Sequence, residues 1–168
     1  MTRVVRAYEE TDFGFVRSVF AAYLEEERRR VPEMGVGDDF PDSYLPRLIQ
    51  KTQNEGGKFL VALEEGTRCG FIAALPKEAQ PWDQTRKKTL MIMEAHVDAA
   101  FRRRGIGREL FSAIEQAFSC DGFDWSTLGT FAGNAQAHAF YRSMGYEATY
   151  QFMGKKIGGE NTNDTPTG

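Results

Sequence analysis

A turn rich in arginine and glycine, set between an apolar run and an amphipathic segment, limits most sharply what this chain can become. Residues 97–110 run from Val97 through Arg102, Arg103, Arg104, Gly105, Ile106, Gly107 and Arg108 to Leu110. The first N–H groups of a helix have no intrahelical partner, and the helix dipole puts partial positive charge behind them. Glycines let a bulky polyanion approach the main chain, and arginines add full charge. The expected ligand is a phosphate or pyrophosphate. A Walker A loop is excluded, because Gly107 is followed by Arg108 and Glu109 rather than Lys and Ser or Thr. A dinucleotide fingerprint would need a third glycine where Leu110 stands, and it would open a domain rather than lie past the middle of the chain. A glycine-capped loop leading into a basic, solvated helix start accounts for the same residues, so this segment alone does not decide.

A second segment adds weight. Residues 134–146 read as a capped helix, with Asn134 as N-cap, alanines for propensity and Gly145 past the C-terminus. Together, R-x-x-G-x-G (Arg102, Gly105, Gly107) and N-x-x-A-x-x-x-Y-x-x-x-G-[FY] (Asn134, Ala137, Tyr141, Gly145, Tyr146) resemble the signatures of the GNAT superfamily, the acyl-CoA-dependent N-acyltransferases. The resemblance covers most of the chain, from the first strand to about residue 157, although only the last third carries specific motifs.

Bulk properties fit one domain. The 168 residues, 41% of them hydrophobic, suffice for one sizeable core. Cys69 and Cys120 make no disulfide framework and suit a cytoplasmic protein. No run approaches a membrane span, the N-terminus has no signal-peptide core, and a net charge of −3 argues against a nucleic-acid ligand. Residues 158–168 have nothing to bury and are expected to be disordered, leaving 1–157 as the domain.

Periodicity gives the order of elements. Residues 3–8 alternate as a first strand, and Phe13, Val16, Val19, Phe20, Tyr23 and Leu24 recur at helical spacing after Thr11 or Asp12. This helix runs into Glu25–Glu27 and Arg28–Arg30, read as a solvated face paired at i,i+3 and i,i+4. Tyr44, Leu45, Leu48 and Ile49 mark a second helix. Residues 58–63 and 69–75 form a hairpin, and 76–88 an extended connection. A fourth strand is expected at 89–97, a helix at 106–118, a fifth strand at 125–131 and a last one at 146–157. This is an α/β or α+β layout around one mixed sheet, flanked by about four helices. The resemblance adds that the fourth and fifth strands splay apart to admit the pantetheine arm.

The resemblance implies acetyl-CoA as co-substrate, no metal, and acetyl transfer to a primary amine in a ternary complex. Main-chain N–H groups of Arg103, Arg104, Gly105, Ile106, Gly107 and Arg108 would face the pyrophosphate, and three consecutive arginine side chains cannot all point inward. An amine of ordinary pKa is protonated at neutral pH, so a base is wanted. Glu94 occupies the place where many relatives carry it. His96, two residues on, shares its face by strand alternation and is the second candidate. The Val97 N–H would meet the oxyanion, Tyr141 would protonate the leaving thiolate, and Asn134 would bond the pantetheine or order water. His138 reads as a surface or supporting residue. No cysteine lies in either motif, so no acyl-enzyme is expected.

The acceptor is expected to be a small molecule with a primary amine, and a homodimer is left open. Glu25, Glu26, Glu27, Glu33, Asp38, Asp39 and Asp42 would suit a polycation. Tyr23, Phe40, Tyr44 and Trp82 would equally line a pocket for an apolar or amino-acid amine. Two other readings stand beside this one: acetylation of protein lysines or N-termini, and a CoA-binding regulatory module without turnover. The acyl group's length is not legible in the residues.

Overall fold

The strongest local signal, Glu65-Gly66 between two apolar runs, forms a two-residue hairpin turn. Both residues have positive φ, 48° and 77°, the geometry whose twist matches that of the flanking strands. The turn joins β2 (Lys58–Glu64) to β3 (Thr67–Lys77). In the computed structural model, which describes residues 2–31, 35–78, 88–155 and 157, these are two of the three inner strands of a five-stranded sheet ordered β1-β2-β3-β4-β5. β1 (Arg3–Ala7) runs antiparallel to β2, β4 (Thr89–Val97) antiparallel to β3, and β5 (Trp125–Leu128) parallel to β4. The expected tail at 158–168, connection residues 79–87, Glu33 and Trp82 lie outside the described residues.

Two cores sandwich the sheet. α1 (Phe13–Arg30) and α2 (Phe40–Asn54) pack Val16, Phe20, Leu24, Leu45 and Leu48 against Phe59, Val61, Phe71 and Leu75. α3 (Ile106–Ser119) sets Ile106, Leu110, Phe111, Ile114 and Phe118 against the other face, where α4 (Ala135–Ser143) adds Phe140 and Tyr141. Strand alternation sends Phe71, Ala73 and Leu75 of β3 to one core and Ile72 and Ala74 to the other.

β4 does not keep this alternation. Glu94 pairs with Ala73 and Ile92 with Ala74, which leaves Met93 as the extra residue of a bulge. Leu90 and Ile92 therefore face α3, whereas Glu94 and His96, of the same parity, face α1. Without the bulge these polar side chains would enter the α3 core.

β5 pairs with β4 only from Thr89↔Trp125 to Ile92↔Leu128, so the second half of β4 has no strand partner on that side among the described residues. This is the expected splay. β5 ends at Leu128 rather than at residue 131, and among the described residues of 146–157 the expected last strand does not form. Tyr146 is anchored, its hydroxyl donating to Glu115 at 2.6 Å. Beyond it Tyr150, Phe152 and Met153 are exposed. Alternation makes a strand only where an edge receives it, and four residues of β5 offer little edge.

Buried charges tie the elements together. Asp12, fully buried, receives Arg6 at 2.7 and 2.9 Å, Arg68 at 2.5 Å and the Glu9 N–H at 2.8 Å. Against the opposing effect of burial, these donors hold its carboxyl well below the usual carboxylate range.

Candidate active site

The loop between β4 and α3 begins with Asp98, whose side chain accepts from the Ala100 N–H at 2.8 Å and caps a short 3-10 turn, Ala99–Phe101. Arg103 and Gly105 then take positive φ, 66° and 85°, and turn the chain into α3. The backbone N–H groups of residues 103–108 donate to no backbone or side-chain acceptor among the described residues. They collect at a positive helix end, the arrangement that binds an anion. The arginine side chains are mostly engaged elsewhere. Arg102 reaches Glu26 at 2.9 Å, Arg104 reaches Glu64 at 3.0 Å, and Arg108 reaches the Ser143 hydroxyl at 3.1 Å. The backbone thus suits a pyrophosphate. Gly107 has a further reason to be glycine: a Cβ there would lie 3.2 Å from Phe140 of α4.

Val97 closes β4 beside the splay. The Asp98 N–H donates to Cys69 of β3 at 3.0 Å, so antiparallel alternation turns the Val97 N–H away from β3, toward the side that β5 leaves open. On the α1 face, His96 Nε2 and Glu94 Oε2 stand 2.6 Å apart. The His96 ring lies 4.2 Å from Tyr23, 5.2 Å from Phe71 and 5.6 Å from Phe20. Tyr44 is stacked with Phe40 and Phe20, within electrostatic reach of Glu94. Burial and the Glu94 charge raise the Tyr44 phenol, and burial with Glu27 and Glu94 raises that of Tyr23.

Tyr141 comes from the other side of the sheet. Its ring packs 5.8 Å from Phe111. Burial first, then the charges of Glu94 and Glu27, raises its pKa, so the phenol stays protonated. Gly145 (φ 90°) lets its own N–H bond Arg142 and the Tyr146 N–H bond Tyr141, both at 3.0 Å. This glycine-ended cap explains the Y-x-x-x-G-[FY] spacing. At the other end Asn134 Oδ1 accepts from the Ala137 N–H at 3.1 Å, while Nδ2 donates to Glu27 at 2.9 Å. His138 is on the surface and bonds the Phe131 carbonyl. The Cys69 thiol is buried, donates to the Ala62 carbonyl, and is pushed up to about 11 by burial.

The sequence treats Glu25, Glu26 and Glu27 alike, and the structure separates them. Glu25 pairs with Arg28 and Arg29 on the surface, and Glu26 with Arg30 and Arg102. Glu27 is wholly buried against Arg30 and Asn134. Its signal was present: it extends the stripe Val16, Phe20, Tyr23, Leu24 by one turn. Asp38 and Asp42 are paired with Arg28 and Arg17.

Fold and site define a class: an α+β protein with a loop of free backbone N–H groups at the mouth of a split sheet, and a Glu–His pair lining the split. Residues 18–146 match the family model of the Acetyltransferase (GNAT) family. This chain belongs to that family, whose members use acetyl-CoA. It is 35% identical over 115 residues to N-acetyltransferase family 8 member 3 of Rattus norvegicus, covering 68% of this chain and 46% of the relative. To family 8 member 7 of Mus musculus it is 32% identical over 91 residues, 54% of this chain and 39% of the relative. The chain thus spans less than half the length of these curated relatives. A variant of the BH1408 protein from Bacillus halodurans superposes with a TM-score of 0.79 at 25% identity, over 92% of this chain and 99% of that one. AAC(6')-Iy in complex with the bisubstrate analogue CoA-S-monomethyl-acetylneamine shares the fold, with a TM-score of 0.69 at 16% identity over 94% of this chain and 99% of that one.

Proposed function

We propose that the protein transfers an acetyl group from acetyl-CoA to the primary amine of a small molecule, by direct attack in a ternary complex. The observation that carries this reading is the placement of the Glu94–His96 pair, held at 2.6 Å on the unpaired half of β4, in the electrostatic reach of Tyr141 and beside a loop of unengaged N–H groups. Residues 103–108 would hold the pyrophosphate, and Asn134 is placed at the start of α4 for the pantetheine arm. Acetyl-CoA supplies an activated thioester. The Glu94–His96 pair takes a proton from the bound amine, and the Val97 N–H donates to the oxygen on which charge develops. Tyr141 gives its proton to the departing thiolate.

An acceptor with an apolar or aromatic body fits better than a polycation. Glu25, Glu26, Asp38 and Asp42 already have cationic partners, whereas Tyr23, Phe40 and Tyr44 line the Glu94 side of the split. Aminoglycoside acetyltransferases among the structural neighbours support a small-molecule acceptor.

The deciding experiment has two arms. Calorimetry with acetyl-CoA is run on the wild type and Gly105→Glu, and thiol release is followed over a panel containing spermidine, an aminoglycoside, an aromatic amine and lysine peptides. The aromatic amine is expected to be preferred with little salt dependence, and Gly105→Glu to lose binding. Binding without turnover of any amine would mark a regulatory module, and preference for lysine peptides a protein acetyltransferase.

A further inference from the structure

We infer that the Glu27 carboxylate is the binding point for the acceptor's primary amino group, taken up as its ammonium form. The inference rests on the acetyl-transfer reading above and adds a site residue on α1. Glu27 ends the buried face of α1. Its Oε1 accepts from Arg30 and from Asn134 Nδ2, the latter at 2.9 Å. Its Oε2 is buried and has no hydrogen-bond partner, the one such side-chain atom among the described residues. Leaving a carboxylate oxygen unsolvated and without a donor is costly, so this oxygen calls for a donor from outside the chain.

The position identifies the donor. Tyr23, one turn earlier on the same face of α1, lies with its ring 4.2 Å from His96. On the other side Glu27 bonds Asn134, the N-cap of the helix that carries Tyr141, so it lies between Tyr23 and the start of α4, and its charge, like that of Glu94, acts on Tyr141 and Tyr23. Glu94 itself is engaged by His96, at 2.6 Å. An incoming N–H finds a buried, unpartnered acceptor at Glu27 Oε2. A primary ammonium carries three donors and a charge opposite to both carboxylates, and the neighbouring aromatic faces favour a cation. One N–H on Glu27 leaves the others directed at the pair that removes a proton. A pantetheine amide is the competing donor, and the test separates the two.

Methylammonium, the minimal head of every primary amine, is the binding probe, titrated into the CoA-loaded protein. The Asn134 side-chain NH₂ resonance reports on Glu27, to which it is bonded. A saturable shift is expected in the wild type, beyond that of equal sodium chloride, and none in Glu27→Gln. Gln keeps an Oε1 for Arg30 and Asn134 but replaces the open acceptor by a donor. Glu27→Asp, which keeps the charge and withdraws the oxygen, is expected to bind weakly. For the best amine of the panel, Glu27→Gln should raise the acceptor KM about 10-fold or more, the effect of one lost charge-assisted bond, with the acetyl-CoA KM nearly unchanged. A wild-type response no larger than that to salt overturns the inference. So does a rise in the acetyl-CoA KM, which would assign Oε2 to the pantetheine, or a fall in Tm with both KM values unchanged. A saturable shift in a protein that acetylates no amine would leave this ammonium site standing and remove the transfer reading. Turnover with an unaltered acceptor KM in Glu27→Gln would do the reverse.

Discussion

Tyr141 and Glu94 reach the split from opposite faces of the sheet, and their proposed roles predict different losses. Tyr141→Phe removes one hydroxyl from a ring whose packing against Phe111 it leaves intact. CoA affinity is expected to persist while turnover falls by about 100-fold or more, the usual scale for a lost general acid. Steady-state turnover beside calorimetric affinity checks this, and an unchanged turnover would make Tyr141 a packing residue. For Glu94→Gln, the acidic limb of the pH–rate profile is expected to move or vanish. An unmoved limb would transfer the base's role to His96 or to a water chain. The adjacency of Glu94 and His96 followed from strand alternation in the sequence. The direction in which they point did not, because it depends on the Met93 bulge, created by pairing with β3.

Elements hold these residues through close approaches and caps. Gly105 needs its φ of 85°, and Gly107 needs the absence of a Cβ 3.2 Å from the Phe140 ring. Two glycines of one motif thus serve different ends, the first the turn of the loop and the second the contact between α3 and α4. Gly105→Ala is expected to destabilise by about 1 kcal/mol through backbone strain alone. Gly107→Val should cost about 1–3 kcal/mol through overpacking and should lower turnover as well, because Tyr141 follows Phe140 on the displaced helix. Chemical denaturation beside turnover distinguishes the two variants, and equal activity in both would remove α4 position from the argument. Both helix ends of α4 were legible in Asn134 and Gly145, since capping is local chemistry. The absent strand beyond Tyr146 was not, since a strand exists only with a partner edge.

At the scale of the molecule, Asp12 joins β1, the start of α1 and β3 by receiving Arg6 and Arg68 in a buried position. Its folded-state pKa lies below its unfolded value. The unfolded chain therefore takes up the proton first as pH falls, and the stabilisation present at neutral pH is lost below about pH 4. Asp12→Asn should cost about 2–3 kcal/mol at pH 7 by leaving two guanidinium groups short of their acceptor, and it should flatten the acid limb of stability. Denaturation midpoints at pH 7 and about pH 2.5 test this, and an equal loss at both values would show a packing effect instead of a charge effect.

The sequence by itself determined the order of elements as far as α4, the hairpin turn, the arginine- and glycine-rich loop and the capped helix bearing Tyr141. Each of these depends on neighbours within a few positions, where glycine, capping side chains and periodicity act directly. Tertiary structure alone decided the face on which Glu94 and His96 lie, the short reach of β5, and the separation of Glu27 from Glu25 and Glu26. Those outcomes depend on which strand pairs with which, and on which helix face the sheet covers. In the chain, Glu27 is one acid of three in a row. In the fold, it alone of the three is taken out of water and left with an oxygen to satisfy.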